Sequence, residues 1–418
     1  MLARMRRDFD VAIVGAGAAG VGAARRLAGG GLSAIVIEAS ARVGGRAWTL
    51  EAAGLPLDLG CGWLHSANRN SWARIAKESG TPLDRGPSAW SEQYRDLGFS
   101  PAEQAAADRT FAVWKSRLES APPASDRAAD AMEPGSEWNP YLEAISAYIN
   151  GDVLARVSIA DYLAYDEAAT RHNWRAPAGY GALISSGFPA GVGLRLSAPV
   201  NAVERVKAGV ALATPQGEVR ARCAILTVST AVLAGGAMRL PPGCDPWLRA
   251  AEQLPLGRNE KLFFEITVPD RSEPETHVIG NPRDARTGSY YIRPFGRPVI
   301  ECFLGADGAR IVEAEGPVAG FAHAAEELAA LFGSEARRAL RPLAASNWAR
   351  TDRIGGGYSH ALPGCAAARA ALARPFEGRI FFAGEATHPY DFSTAHGAHD
   401  SGVRAAEEAI GALAGRDS

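Results

Sequence analysis

The chain has no apolar run long enough to cross a membrane. Its longest candidate, residues 11–24, is glycine-rich and closes on Arg25 and Arg26, whereas a span needs roughly 20 consecutive apolar residues. It also lacks any strong imbalance of charge. With 44 basic and 46 acidic residues the formal net charge is -2, which gives no electrostatic case for nucleic acid. Cysteine is sparse: Cys61, Cys223, Cys244, Cys302 and Cys365 lie far apart with no CxxC pair. That pattern fits reduced thiols in a cytoplasm and argues against a zinc site. No His/Asp/Glu cluster has metal-ligand spacing, so no metal is expected, and no Gly-x-Ser-x-Gly elbow occurs. Arg6-Arg7 before an apolar stretch mimics an export signal, but the stretch ends in charge without a small-residue cleavage site, so no targeting segment is expected. Lysine is scarce. Lys77, Lys115, Lys207 and Lys261 are the only four among the 44 basic positions, which makes each of them worth asking about.

What is present describes a globular protein. Hydrophobic residues make up 47% and charged residues 22% of the 418 positions, a length that implies two or three domains. Residues 8–15 and 32–38 read as buried strands flanking a helix over 18–28, a βαβ unit suited to a parallel sheet covered on both faces. A hairpin follows over 47–60, turning near Ala53-Gly54. From about 70 to 175 the texture is helical, broken by prolines and dotted with tryptophan. Short strands return at 192–196, 199–206, 209–213 and 218–228, and 378–412 reads as a strand followed by a long Ala-rich helix. Two alternating textures imply interleaved domains, with 1–75, 176–245 and 345–418 forming one and 76–175 and 246–344 the other.

Gly15-x-Gly17-x-x-Gly20 follows the first strand and opens the helix. Gly15 permits the tight turn, Gly17 lets a pyrophosphate approach the backbone, and Gly20 allows helix and strand to pack closely. The helix start offers N–H groups to phosphate, and Glu38 can accept hydrogen bonds from a ribose. The run from Glu38 to Gly44-Gly45-Arg46 resembles the segment that follows the ribose-binding acid in the flavin-containing amine oxidase superfamily, which includes monoamine and polyamine oxidases and histone lysine demethylases. Gly384-Glu385, followed by His396-Gly397-Ala398, is similar to its C-terminal motif. There the Glu contacts the flavin ribityl chain, and a helix starting after the Gly-Ala step faces the pyrimidine end of the ring. Val200 matches the position that grips the adenine, and residues 227–233 resemble the strand closing that lobe. The resemblance further assigns Ala18, Ala19, Ala39, Gly62, Trp63, Trp348, Ala395 and Ala398 to the cofactor. It implies an α/β fold, a Rossmann-type FAD-binding domain interleaved with an α+β substrate domain. With no second GxGxxG unit, FAD is expected to be the sole redox cofactor.

Four positions narrow the expected chemistry. Lys261 lies in a strand whose Leu262, Phe264, Ile266 and Val268 alternate on one apolar face. The resemblance assigns it the lysine that reaches a water beside flavin N5. Tyr358 matches one wall of an aromatic cage, and Gly357 stands where monoamine oxidases carry a flavin-linked cysteine, so FAD is expected to be non-covalent. Thr394 falls at the opposite wall and is not aromatic, a departure shared with the histone demethylases. His65, in Cys61-Gly-Trp63-Leu-His65, matches a histidine facing the substrate channel and could titrate near pH 6.5. The implied reaction is hydride transfer from an amine C–H to flavin N5, giving an imine that hydrolyses to aldehyde plus amine, with O2 reduced to H2O2. A secondary amine or polyamine is favoured. Two alternatives stay open: oxidation or desaturation of a non-amine carbon skeleton, and a catalytically vestigial flavin-binding interaction protein.

Overall fold

The computed structural model describes residues 8–268 and 272–417, so Arg6-Arg7 lies outside the described residues. β1 (Phe9–Val14), α1 (Ala18–Leu27) and β2 (Ala34–Ile37) form the expected βαβ unit. β3 (Thr49–Ala52) and β4 (Leu55–Asp58) form the hairpin, and both Ala53 and Gly54 have positive φ at its turn. β5 (Trp63–Leu64) pairs with β6 (Trp174–Arg175). Between these two strands the chain is mainly helical, and the helix Pro101–Ser120 starts on a capping box made by Ser100 and Glu103.

Next come β7 (Gly193–Arg195), β8 (Ala202–Val206), β9 (Gly209–Thr214) and β10 (Gly217–Leu226). The first sheet runs β7-β2-β1-β10-β9-β8. Its β7, β2, β1 and β10 are mutually parallel, whereas β8 and β9 form an antiparallel meander with β10. The side-chain period of two sorts its apolar residues between two cores. Val11, Ile13, Val36 and Ile225 enter one core, and Ala12, Val14, Ile37 and Leu226 the other. The first core is roofed by α1 and the helix Ala395–Asp417. The two helices touch backbone to backbone, because a Cβ on Gly22 would lie 2.4 Å from the His399 carbonyl and one on Gly402 would lie 2.0 Å from the Ala19 carbonyl. Residues 227–233 correct the sequence reading. β10 stops at Leu226, and Thr230–Ala234 is a helix capped by the Ser229 side chain. A hydroxyl accepting the Val232 N–H outweighs the β-branched composition.

β11 (Asn259–Ile266), β12 (Thr276–Ile279), β13 (Ser289–Ile292), β14 (Val299–Gly305) and β15 (Leu340–Ala345) build a second, antiparallel sheet in the order β12-β13-β14-β11-β15. One face, with Leu262, Phe264, Ile266, Cys302 and Leu304, packs under the helices Ala306–Glu315 and Pro317–Phe332. The other presents Lys261, Phe263, Glu301 and Phe303, with Lys261 opposite Phe303 and Phe263 opposite Glu301. Val268 was expected on the apolar face. The strand ends at Ile266, and Val268 is 44% exposed. β16 (Ile380–Phe382) returns to the first sheet, parallel to β10. Among the described residues no helix is long and apolar enough to cross a membrane.

Candidate active site

A cavity of about 860 Å³ opens at the C-terminal ends of β1 and β2 and continues to the face of the second sheet that carries Lys261 and Glu301. This is near the upper end of the roughly 300–1,000 Å³ common for ligand sites, and it lies where open α/β sheets bind ligands. All the cofactor and catalytic residues expected from the sequence line it except Gly20. Gly20 stands behind the wall, where a Cβ would lie 1.9 Å from the Gly15 carbonyl. It serves the close packing expected of it.

At the first end, α1 follows Gly17 as its N-cap, with no side-chain cap, so its first N–H groups are left for another acceptor. Gly15 adopts φ 102°, and a Cβ at Gly17 would find nothing nearer than the Gly44 carbonyl at 3.8 Å. This is a bare backbone cradle with a positive helix end, and it fits a pyrophosphate. Glu38 Oε2 accepts the Ala16 N–H at 2.6 Å, and Oε1 accepts the Ser40 N–H at 2.7 Å and its hydroxyl at 2.8 Å. A carboxylate has about four lone-pair sites, so it retains capacity for a ribose hydroxyl.

Farther along, Arg46 ties the two ends of the chain together. Its Nη1 donates to the Gly357 carbonyl at 2.5 Å and to Glu385 Oε1 at 3.0 Å. Glu385 also accepts the Ser359 hydroxyl at 2.6 Å and the Ser393 N–H at 3.0 Å. Burial pushes its pKa up, but Arg46, Ser359 and Arg369 outweigh that, and it is held below its usual value. The neighbouring helix begins at Ala395, one turn before the Gly397-Ala398 step where it was expected. Thr394 sets the earlier start. Its hydroxyl accepts the Gly397 N–H at 3.0 Å and donates to the Asp391 carbonyl at 2.6 Å, so the expected cage wall also serves as a helix cap.

At the far end, Lys261 is the only buried lysine of the four. Its Nζ contacts Glu301 Oε1 at 2.6 Å, in an orientation that makes an ion pair but no hydrogen bond. A Cβ on Gly62 would come within 3.1 Å of this ammonium, so glycine there gives the lysine its room. Sequence reasoning missed Glu301. It is the one charged residue of a strand whose Ile300, Cys302 and Leu304 face the core, and the alternation sets it on the other face. What the sequence hides is its pairing with a lysine 40 positions away. Tyr358 donates its hydroxyl to the Tyr148 carbonyl at 2.5 Å, which pins its ring to the helix Asn139–Asn150.

His65 hydrogen-bonds through Nδ1 to Asn173 Oδ1 at 2.9 Å and leans on Trp90. Burial pushes its pKa down to about 4, which corrects the expectation of titration near 6.5. A carbonyl oxygen only accepts, so Nδ1 keeps the proton and Nε2 presents a lone pair. Aspartate in place of Asn173 should stabilise the imidazolium and raise this pKa by about one unit or more. The acid limb of log kcat/KM, where neutral His65 is lost, should then move to higher pH. An unmoved limb would remove His65 from the pH profile.

A dinucleotide cradle leading to an ion-paired lysine beneath aromatic walls defines a nucleotide-dependent oxidoreductase. The profile of the flavin containing amine oxidoreductase family matches residues 18–95 and 91–410, and the chain belongs to that family. Polyamine oxidase 4 of Oryza sativa subsp. japonica is 26% identical over 96% of this chain and 88% of its own length. Lysine-specific histone demethylase 1 homolog 2 of the same plant is 25% identical over 99% of this chain and 58% of its length. Putrescine oxidase bound to putrescine superposes with a TM-score of 0.74 at 19% identity, over 96% of this chain and 99% of that one. Cyclohexylamine oxidase from Brevibacterium oxydans IH-35A superposes at 0.73 and 20% identity, over 97% and 100%. The family implies a flavin, and the chain is an amine oxidoreductase of mixed α/β fold.

Proposed function

We propose that the protein is an FAD-dependent amine oxidase that turns R–CH(R′)–NHR″ into an imine, which water hydrolyses to a carbonyl compound and an amine. The observation that carries this reading is the ion pair of buried Lys261 with Glu301 at the end of the cavity opposite the phosphate cradle. The cradle fits FAD: Gly15, Gly17, Gly44 and Gly45 would face its pyrophosphate, Glu38 a ribose, Val200 the adenine, and Glu385 with the start of the helix Ala395–Asp417 the flavin half. Bound there, FAD would accept a hydride equivalent from the substrate C–H and pass its electrons to O2, yielding H2O2. Non-covalent attachment is supported by Gly357 and by Cys61, the one cysteine lining the cavity, whose thiol burial pushes up to about 12.

The protein's own residues then hold the substrate and manage its proton. Aromatic walls orient the carbon body, so the reacting bond is held in place rather than found by diffusion. Neutral His65 offers Nε2 to a substrate N–H and places no cation there for a carboxylate, which suits a secondary amine better than an amino acid. Lys261 and Glu301 present one positive and one negative group to the reacting nitrogen. Anaerobic mixing of holoenzyme with amines tests this reading. Bleaching of the flavin band, followed by peroxide release on admitting O2, is expected. Bleaching by apolar polyenes alone would favour oxidation of a carbon skeleton, and bleaching by neither would leave an interaction protein. Glu38→Ala should weaken FAD binding by about 10- to 100-fold, the worth of one or two hydrogen bonds to a charged group. Unchanged FAD affinity in equilibrium dialysis would take Glu38 out of the site.

A further inference from the structure

Four acids line the cavity, and three belong to its dinucleotide end or rim. Glu38 is engaged by Ala16 and Ser40, Glu385 by Arg46, and Asp352 is 96% exposed beside Arg353. The one acid in the substrate half is Glu301, and Lys261 already neutralises it. Asp58, behind that pair, is taken up by the Thr49 hydroxyl and the Tyr180 and Gly181 N–H groups. The remaining walls include Ile145, Ile149, Ile279, Phe303, Trp63 and Tyr291. Two of these aromatics already serve a resident cation, since the Arg175 guanidinium lies 4.9 Å from the Trp63 ring and 5.3 Å from that of Tyr291. A second ammonium in this half would find no free carboxylate, because the acids behind the aromatic walls, Asp84 and Glu275, are already held by Arg175. Burying a charge unpaired is costly, and aromatic faces return only part of that cost.

We propose, resting on the amine oxidase reading above, that the substrate is a monoamine: one primary or secondary cationic nitrogen on an apolar, alkyl or ring-sized body. This narrows the expectation of a secondary amine or polyamine. A short diamine is the sharpest probe, because its second nitrogen lies only a few carbons from the first.

The test compares cyclohexylamine, benzylamine and N-methylbenzylamine with putrescine and spermidine on the holoenzyme, following peroxide release and anaerobic bleaching. Putrescine and spermidine should show kcat/KM at least about 100-fold below the best monoamine. Binding gives a second readout through amines that have no α-hydrogen. The dissociation constant of tert-butylamine, read from perturbation of the flavin spectrum, should be at least about 100-fold below that of 2,5-diamino-2,5-dimethylhexane. Ile145 lines the cavity and packs into none of the hydrophobic cores, so Ile145→Glu supplies the missing carboxylate. It should raise the putrescine-to-cyclohexylamine ratio of kcat/KM by about tenfold or more. Wild-type preference for putrescine or spermidine, or equal binding of the two blocked amines, overturns the proposal. So does an FAD-loaded Ile145→Glu variant with an unchanged ratio. Failure of every amine to bleach the flavin is a different result and rejects the amine oxidase reading itself.

Discussion

Lys261→Met is expected to leave FAD bound and to slow turnover by about 10²- to 10⁴-fold, the usual worth of a positioned proton-handling group. Methionine keeps most of the lysine stem, so Leu262 and Phe264 keep their core on the far face of β11 and Phe263 its contacts with Leu57 and Trp348. What disappears is the ammonium 2.6 Å from Glu301. The phosphate cradle and Glu385 lie on other elements, and neither touches this side chain. Flavin content should therefore be near that of the wild type, while rapid-mixing rates for reduction by amine, reoxidation by O2, or both should fall. Two half-reactions at wild-type speed in an FAD-loaded variant would strip Lys261 of its role. Loss of flavin would instead mean that the lysine holds the fold of the cavity.

Much of this site was legible because local rules and tertiary structure agree in the first 60 residues. A glycine-gated turn between an apolar strand and a helix has few other uses, and Gly15 and Gly20 meet the steric demand that their spacing implies. Lys261 stood out by rarity and by its place in an alternating strand. The parts that escaped depend on distance or on a hydrogen bond. Glu301 meets Lys261 only because β11 and β14 pair in one register. His65 loses its usual titration range because burial beside Trp90 and the cavity wall outweighs its hydrogen bond to Asn173. The helix at Ala395 starts a turn early because Thr394 caps it, and Thr230–Ala234 is helical because Ser229 does the same. Capping hydroxyls are short-range signals, yet alanine-rich and β-branched surroundings masked both.

Arg369→Leu is the substitution expected to damage stability most, by about 3–5 kcal/mol, the cost of stranding one member of a buried ion pair. Arg369 is 2% exposed. Its Nε and Nη2 grip the two Asp161 oxygens at 2.6 and 2.8 Å, and its Nη1 donates to Ser359 Oγ at 3.0 Å. The guanidinium also lies 3.5 Å from the centre of the Phe392 ring. Leucine would fill part of the volume and leave Asp161 with the Ala361 N–H at 2.8 Å, too little to hold a buried carboxylate. The damage should spread toward the flavin half, because Ser359 links Arg369 to Glu385 and its carbonyl receives the Ser393 hydroxyl. Arg369→Leu should therefore melt at lower temperature and hold FAD more weakly. The double variant Asp161→Leu/Arg369→Leu should recover much of the melting temperature, because it leaves no orphaned charge. If the single variant melted with the wild type, or the double fell well below the single, the pair would not be what fastens the Tyr358 and Glu385 segments to the helix Ile159–Ala168.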